Sequence, residues 1–304
     1  MKNKFSVILT FIISMSAFAQ QDPQYTQYMY NTINVNPAYA GSRGVLSVFG
    51  LHRSQWVGMD GAPTTNSFSV NTPLGESKLG LGVSFVSDKI GPTKENKVSV
   101  DLSYALDLNE TYKLAFGIKG SMNMLDVDFT KLNIYNQADP RFQNNIENKI
   151  SPNVGAGLYL YSDKTYFGVS APNILETKHY DDNTYSTAAQ KVHLYAIGGH
   201  VFDLSPDLQF KPAAMVKMVS GAPLQVDVSA NFWLYEKFTL GVAYRWDAAL
   251  SGIAGFQISD QLFIGYAYDA ETTRLANYNS GSHEIFLRYE FLNRVNKVIT
   301  PRFF

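Results

Sequence analysis

The stretch LQVDVSANFWL at residues 224–234 alternates apolar and polar side chains along its whole length. Successive side chains of a β-strand point to opposite faces, so this stretch has one apolar face and one polar face. Its length matches a tilted strand that crosses a bilayer, which takes about 9–11 residues. Similar stretches recur along nearly the whole chain. The pattern predicts an all-β protein, a transmembrane antiparallel β-barrel of the outer membrane.

Fourteen stretches of this kind predict about fourteen strands. They lie at residues 44–52, 65–73, 78–87, 97–106, 112–123, 152–162, 165–171, 192–202, 208–219, 224–234, 238–246, 248–258, 262–269 and 283–291. Every second connection is a short turn, and the others include all the long ones. The long connections are 53–64, 124–151, 172–191 and 270–282. Because bacterial barrels have short periplasmic turns and longer outer loops, this alternation predicts that both termini are periplasmic.

The first nineteen residues have the composition of a secretory leader. Lys2 and Lys4 precede an apolar run from Phe5 to Phe18, and residues 17–19 form a small-x-small cleavage site. A membrane anchor is the alternative, but the run is shorter than the roughly 20 apolar residues that a spanning helix needs. We therefore expect residues 1–19 to be a cleaved signal peptide. Residues 20–43 follow as an N-terminal arm or plug segment, 44–291 as the barrel, and 292–304 as a periplasmic tail.

Composition is consistent with this class of protein. Without Lys2 and Lys4, 23 basic residues remain against 26 acidic ones, which gives no indication of a nucleic-acid surface. There is no cysteine, so the fold must rely on strand pairing, as a closed barrel can. The 19 Tyr and 20 Phe suit aromatic girdles at both membrane interfaces.

The polar faces of the strands are expected to line the interior of the barrel. They carry Asp101, Lys119, Lys211, Lys217, Gln225, Asp227, Asn231, Arg245, Asp269, Glu284, Arg288 and Glu290. Charges in such a lumen form paired networks or line a water-filled path, because an unpaired buried charge is costly. Many other inward positions are Gly, Ala or Ser, which leaves room for a segment inside. The stretch Gln20–Gly41 is a candidate plug, and a periplasmic arm is the alternative.

No catalytic or metal-binding pattern emerges. The five histidines show no ligand spacing, no G-x-S-x-G is present, and the Gly-rich stretches lie within strands rather than at a strand-to-helix turn. We therefore predict no enzyme activity, no cofactor and no metal, and a hydrolase in the lumen is a remote third alternative.

Two segments have a more distinctive composition than the strands. They are QDPQYTQYMY at residues 21–30, continuing to NPAYAG at 36–41, and HRSQWVG at 52–58, continuing to GAPTT at 61–65. Both resemble the PorP/SprF family of the Bacteroidetes type IX secretion system. DKIGP at 88–92, Lys211-Pro212, GYAYD at 265–269 and SHEI at 282–285 resemble later segments of that family. The resemblance covers essentially the whole mature chain.

The resemblance implies an outer-membrane component of protein secretion or gliding motility in a Gram-negative, Bacteroidetes-like bacterium. Its expected partners are outer-membrane lipid and either the C-terminal region of a secreted adhesin or periplasmic secretion and motility components, with no nucleic acid. It implies no catalytic residues. A transport channel for small or hydrophobic solutes is the alternative function. Residues expected to contact a partner are Tyr39, Trp56, Phe129, Ile134 and Tyr135, with packing onto the barrel as the alternative role.

Overall fold

The strands form one closed antiparallel barrel. The structure is a computed structural model that describes residues 25–75, 77–132, 144–176 and 191–292. Its strands are β1 (Leu46–Ser54), β2 (Thr64–Pro73), β3 (Leu79–Ile90), β4 (Thr93–Asp107), β5 (Lys113–Val127), β6 (Ile146–Tyr161), β7 (Thr165–Ala171), β8 (His193–His200), β9 (Phe202–Ser205), β10 (Leu208–Val219), β11 (Gln225–Leu234), β12 (Phe238–Arg245), β13 (Ala249–Gln257), β14 (Leu262–Glu271) and β15 (Ser282–Phe291). Neighbours in sequence pair with each other, and β1 pairs with β15 to close the ring.

The barrel has fourteen strands across its wall, as the sequence predicts. Only Val201 separates β8 from β9, and the two pair with successive parts of β10. They are therefore one wall strand with an irregularity, which the sequence pattern treats as a single strand at 192–202. Most other boundaries agree with the prediction to within a few residues.

The strands β3 to β6 are longer than predicted, with 12 to 16 residues each. The predicted connection 124–151 is therefore too wide, because β5 continues through Val127 and β6 begins at Ile146. Leu125 and Val127 keep the inward alternation and pack with Phe129 and Ile146 in a small apolar cluster. That cluster stabilises a sheet that extends beyond the length a bilayer requires.

The two faces of the wall have opposite character. Large apolar side chains on the outward face are exposed, among them Phe68, Val83, Val100, Ile118, Leu158, Val242 and Leu287. The predicted inward polar residues are buried, except Gln225 and Glu290, which are partly buried. The outer surface is thus an apolar band suited to lipid, and the interior is polar.

The two ends of the barrel differ in their connections. One end, called here the short-turn end, has the connections 74–78, 108–112, 162–164, 206–207, 235–237 and 258–261. The other, the long-loop end, has 55–63, 91–92, 128–145, 172–192, 220–224, 246–248 and 272–281. The assignment of the termini to the periplasm stays a prediction. Within the described residues, no helix has the length and apolarity to cross a membrane.

Candidate functional site

Residues 25–43, called here the lumen segment, lie inside the barrel. Three short 3₁₀ turns, Tyr28–Tyr30, Thr32–Asn34 and Pro37–Tyr39, shape the segment. Asn36 stabilises the last turn, because its side-chain oxygen accepts a hydrogen bond from the backbone N–H of Ala38 at 3.0 Å. All of the segment is buried except two partly exposed residues. A segment without strand periodicity therefore fills the polar interior of the wall.

One end of the lumen segment is held by a buried group of charges, the Arg53 cluster, formed by Arg53, Asp269 and Glu284 at the long-loop end. The guanidinium of Arg53 lies 2.8 Å from Asp269 and 3.1 Å from Glu284. The Thr26 hydroxyl donates to Asp269 at 2.7 Å, and the backbone N–H groups of Thr26 and Gln27 donate to Glu284 at 3.1 and 2.9 Å. One cation is shared by two carboxylates, and the lumen segment supplies the remaining donors.

Wall side chains bind the backbone carbonyl groups of the middle of the segment. Lys119, paired with Asp101 at 3.1 Å, also donates to the carbonyl of Ile33 at 3.2 Å. Hydroxyls continue the series: Ser170 donates to the carbonyl of Val35 at 2.6 Å, and Ser103 donates to that of Ala40 at 2.7 Å. In the opposite direction, the Asn36 amide donates to the Leu158 carbonyl at 2.9 Å. These bonds satisfy polar groups that water cannot reach.

Glycines in the wall make space for the segment. Gly117 on β5 and Gly157 on β6 are directly paired and face the lumen. A Cβ atom at Gly117 would lie 2.2 Å from the backbone nitrogen of Ala38, and one at Gly157 would lie 2.2 Å from the Asn36 side-chain oxygen. Any larger residue would have to displace the segment. The small inward residues noted in the sequence thus have a specific occupant.

Aromatic and charged groups fix the rest of the segment. The Tyr30 ring packs against Phe286 at 4.7 Å and Phe263 at 5.5 Å between centroids, with the Lys211 ammonium 5.1 Å from its centre. Near the short-turn end, Arg43 forms an ion pair with Glu290. The chain therefore runs from the long-loop end at Thr26 to the short-turn end before β1 begins.

The predicted contact residues fall in three places. Tyr39 is buried in the lumen against Tyr159, with ring centroids 5.6 Å apart. Trp56 is partly buried and donates its indole N–H to Glu271 at 2.7 Å. This bond ties the loop 55–63 to the end of β14. The loop also pairs with the connection 272–281 through two backbone hydrogen bonds at Val57.

Phe129 is the third residue and lies buried in the apolar cluster of β5 and β6. Beside it, the Thr130 hydroxyl and Lys131 lower the pKa of the Asp128 carboxyl, so the turn is held by an ionised acceptor. Ile134 and Tyr135 lie outside the described residues. A contact role for these five residues stays a prediction.

Sequence reasoning missed Arg53, because the first strand was predicted to end at residue 52. The alternation of the strand does extend to this residue. Phe49, Leu51 and Arg53 are two positions apart, so they share one face of the strand, and all three are buried. The distinctive segments HRS at 52–54, GYAYD at 265–269 and SHEI at 282–285 now lie side by side on β1, β14 and β15. Their inward residues form the Arg53 cluster.

The arrangement binds a peptide segment of the same chain. Among the described residues, no three His, Cys, Asp or Glu side chains are grouped to hold a metal ion. The donors and acceptors of the lumen are directed instead at the backbone and side chains of residues 25–43.

Comparison with known proteins agrees with this architecture. A family described as "Type IX secretion system membrane protein PorP/SprF" matches residues 17–289. No curated protein sequence matches the chain significantly. Among solved structures, the CymD monoaromatic hydrocarbon channel is similar with a TM-score of 0.52 at 14% identity, over 88% of this chain and 94% of that one. Omp33 of Acinetobacter baumannii has a TM-score of 0.49 at 8% identity, over 81% and 99%. At 14% identity, the similarity to the hydrocarbon channel supports the barrel fold alone.

Proposed function

Because the chain belongs to the PorP/SprF family of type IX secretion system membrane proteins, we propose that it is a non-enzymatic outer-membrane component that engages a secreted adhesin or the secretion and motility machinery. The observation that carries the proposal is the occupied lumen. The lumen segment is bound along its length by ion pairs and hydrogen bonds with the wall. A barrel whose lumen is filled in this way has its two ends and its outer wall available for contact with partners.

The long-loop end is the surface we assign to the exported partner. The strands β3 to β6 extend the sheet beyond the wall there, and the apolar cluster around Phe129 anchors the connection between β5 and β6. Long connections in a compact barrel are usually functional when they carry apolar groups. Interfaces draw most of their binding energy from a few such anchors. Leu132, exposed next to this cluster, is a side chain of that kind.

The test is a loop variant whose barrel stays intact. Replacing Phe129, Ile134 and Tyr135 together by Ser should reduce co-purification of the adhesin. The heat-modifiable gel mobility of the folded barrel should be unchanged, because Phe129 lies outside the wall strands. A matched control is Leu108→Ser, which alters an exposed apolar residue at the short-turn end. Undiminished co-purification of the loop variant would exclude this end as the docking surface.

The alternative function as a solute channel requires the lumen segment to move. No observation of the described residues favours that role over docking, and similarity to a hydrocarbon channel extends only to the fold. Deletion of the gene separates the two functions: loss of a surface adhesin without a change in permeability supports docking. A specific loss of solute uptake with normal adhesin display supports transport.

A further inference from the structure

A band of polar side chains crosses the outward face of six adjacent strands near the long-loop end. Strand register places one row on Tyr268, His283, Ser54, Thr64, Lys89 and Lys94, and a second row on Tyr266, Ile285, His52, Asn66, Ser87 and Asn96. These twelve residues, called here the polar strip, follow β14, β15, β1, β2, β3 and β4, and Ile285 is the one aliphatic residue among them. All twelve are partly or fully exposed.

The strip has a sharp border on the side that faces the short-turn end. The adjoining outward row on the same six strands is Ile264, Leu287, Gly50, Phe68, Phe85 and Val98. Five of these are large and apolar, and Gly50 adds no polar side chain. Polarity therefore begins in the second row on five of the six strands, and in the first row on β15, where Ile285 occupies the second row. Because the outward apolar band of a barrel marks the hydrocarbon core, the strip borders that core on the side of the long-loop end, where lipid headgroups begin.

The strip has a net positive character. Lys89 and Lys94 are paired neighbours, both exposed, and none of its twelve positions is acidic. The adjacent carboxylates point away: Asp88 binds Thr65, and Glu95 binds Asn123. On the opposite part of the wall the same end is apolar, with Met218, Tyr244, Trp246 and Leu250 exposed. The basic and hydrogen-bonding groups are thus concentrated on one side.

Hydrogen bonds hold the imidazole rings of the strip in place. Nδ1 of His52 lies 2.8 Å from the Asn66 side-chain oxygen, and its Nε2 lies 3.1 Å from the Ser54 hydroxyl. Nδ1 of His283 lies 2.6 Å from the Tyr266 hydroxyl. The Cα partners Ser54 and His283 connect the two groups across β1 and β15. The result is an array of hydrogen-bonded polar side chains beside the two exposed ammonium groups of Lys89 and Lys94.

We infer, from the predicted orientation in which the long-loop end faces outward, that the polar strip binds the phosphate groups of a phosphorylated glycolipid of the outer leaflet. Three observations on the wall support this occupant: the position of the strip at the border of the apolar band, its excess positive charge and its exposed hydrogen-bonding side chains. Ammonium and imidazole groups are suited to phosphate oxygens, and lipid-headgroup pockets on membrane proteins are typically basic. The acyl chains of such a lipid lie along the apolar row that contains Phe68 and Phe85. The side of the wall formed by β14, β15 and β1 to β4 therefore carries the bound lipid.

The experiment measures lipid retention by the purified full-length barrel in detergent, using native mass spectrometry. The probes are bisphosphorylated lipid A, dephosphorylated lipid A and phosphatidylglycerol. The wild-type barrel should retain the bisphosphorylated form in preference to the other two. Lys89→Gln with Lys94→Gln should weaken its retention about thirtyfold, from roughly 1 kcal/mol per lysine and 1.4 kcal/mol per factor of ten.

Two further variants make the result decisive. Lys113→Gln with Lys237→Gln removes the same charge at the short-turn end and should retain lipid A as the wild type does. His52→Phe with His283→Phe keeps two aromatic rings but removes the imidazole hydrogen bonds that order Ser54, Asn66 and Tyr266, and should weaken retention while the barrel stays heat-modifiable. Equal retention of the phosphorylated and dephosphorylated forms overturns the inference. So does preference for phosphatidylglycerol, or an equal loss in both lysine pairs.

Discussion

Replacing Gly117 by Leu should release the lumen segment and make the barrel conduct ions. The added Cβ would lie 2.2 Å from the Ala38 nitrogen and 2.4 Å from the Pro37 carbonyl carbon. Non-bonded heavy atoms need about 3.5 Å, so the backbone of the segment must retreat by roughly 1.3 Å even before the rest of the leucine is placed. Neither β5 nor its neighbours can yield, because each is hydrogen-bonded on both sides.

The cost follows from the bonds that the retreat breaks. Three hydrogen bonds join the segment to the wall within a few residues of this point: those of Ser170 with Val35, Asn36 with Leu158, and Ser103 with Ala40. At about 1 kcal/mol net for each bond, their loss weakens the bound state by about 3 kcal/mol. That shifts the ratio of bound to released segment by roughly a hundredfold.

The assay is ion conductance in planar bilayers, with protection of the segment from hydrogen exchange as a second readout. The wild-type barrel should be closed, and the Gly117→Leu barrel should conduct. Gly120→Leu is the matched control, because Gly120 lies on the same strand and its Cβ would meet no atom within 4 Å. A folded Gly117→Leu barrel that stays closed, with unchanged exchange protection, refutes the assignment of the segment as a tightly packed plug.

Two other predictions concern charge and topology. Arg53→Met should lower the urea midpoint of unfolding by the equivalent of about 3–5 kcal/mol, because two buried carboxylates lose their cation, whereas Lys113→Met at an exposed pair should have little effect. If the two variants unfold alike, the cluster is not a stabilising element. A cysteine at Gln24, next to the first described residue at the long-loop end, should be labelled in intact cells as readily as one at Tyr278, and one at Asn109 should be protected. Protection at Gln24 with labelling at Tyr278 would contradict the direction of the chain in the lumen.

The wall could be predicted because lipid imposes a simple rule. The outward side chains that cross the hydrocarbon core are mostly apolar, so alternation such as Val98, Val100, Leu102 and Tyr104 is visible without any partner. The inward charges could be predicted for the same reason, since they alternate with the outward apolar residues. The ion pairs between them could not be predicted, because the carboxylates that contact Arg53 depend on the register of β1, β14 and β15 after the barrel closes.

The lumen segment had no comparable signal. Its residues follow neither the period of a strand nor that of a helix, so the sequence left a plug and a periplasmic arm as equal alternatives. What decides between them is complementarity with the wall: Gly117 and Gly157 meet a backbone that contains Pro37, and Ser170 meets a carbonyl group. Such matches join positions more than 75 residues apart, and a single sequence does not reveal them.

The lumen segment is bound to the seam of the barrel, which is the pairing of β1 with β15 that closes the wall. β1 and β15 pair over nine positions, from Leu46 with Phe291 to Ser54 with His283, and these ladder bonds do not involve the segment. The charged side chains beside the seam, in contrast, bind the segment directly. At one end, the segment supplies donors to the carboxylates around Arg53, and at the other, its own Arg43 pairs with Glu290 on β15. Without the segment, the seam would keep its ladder, but Glu284 would lose two backbone N–H donors and Glu290 would lose Arg43. The acidic residues beside the seam are therefore part of the binding site for the segment.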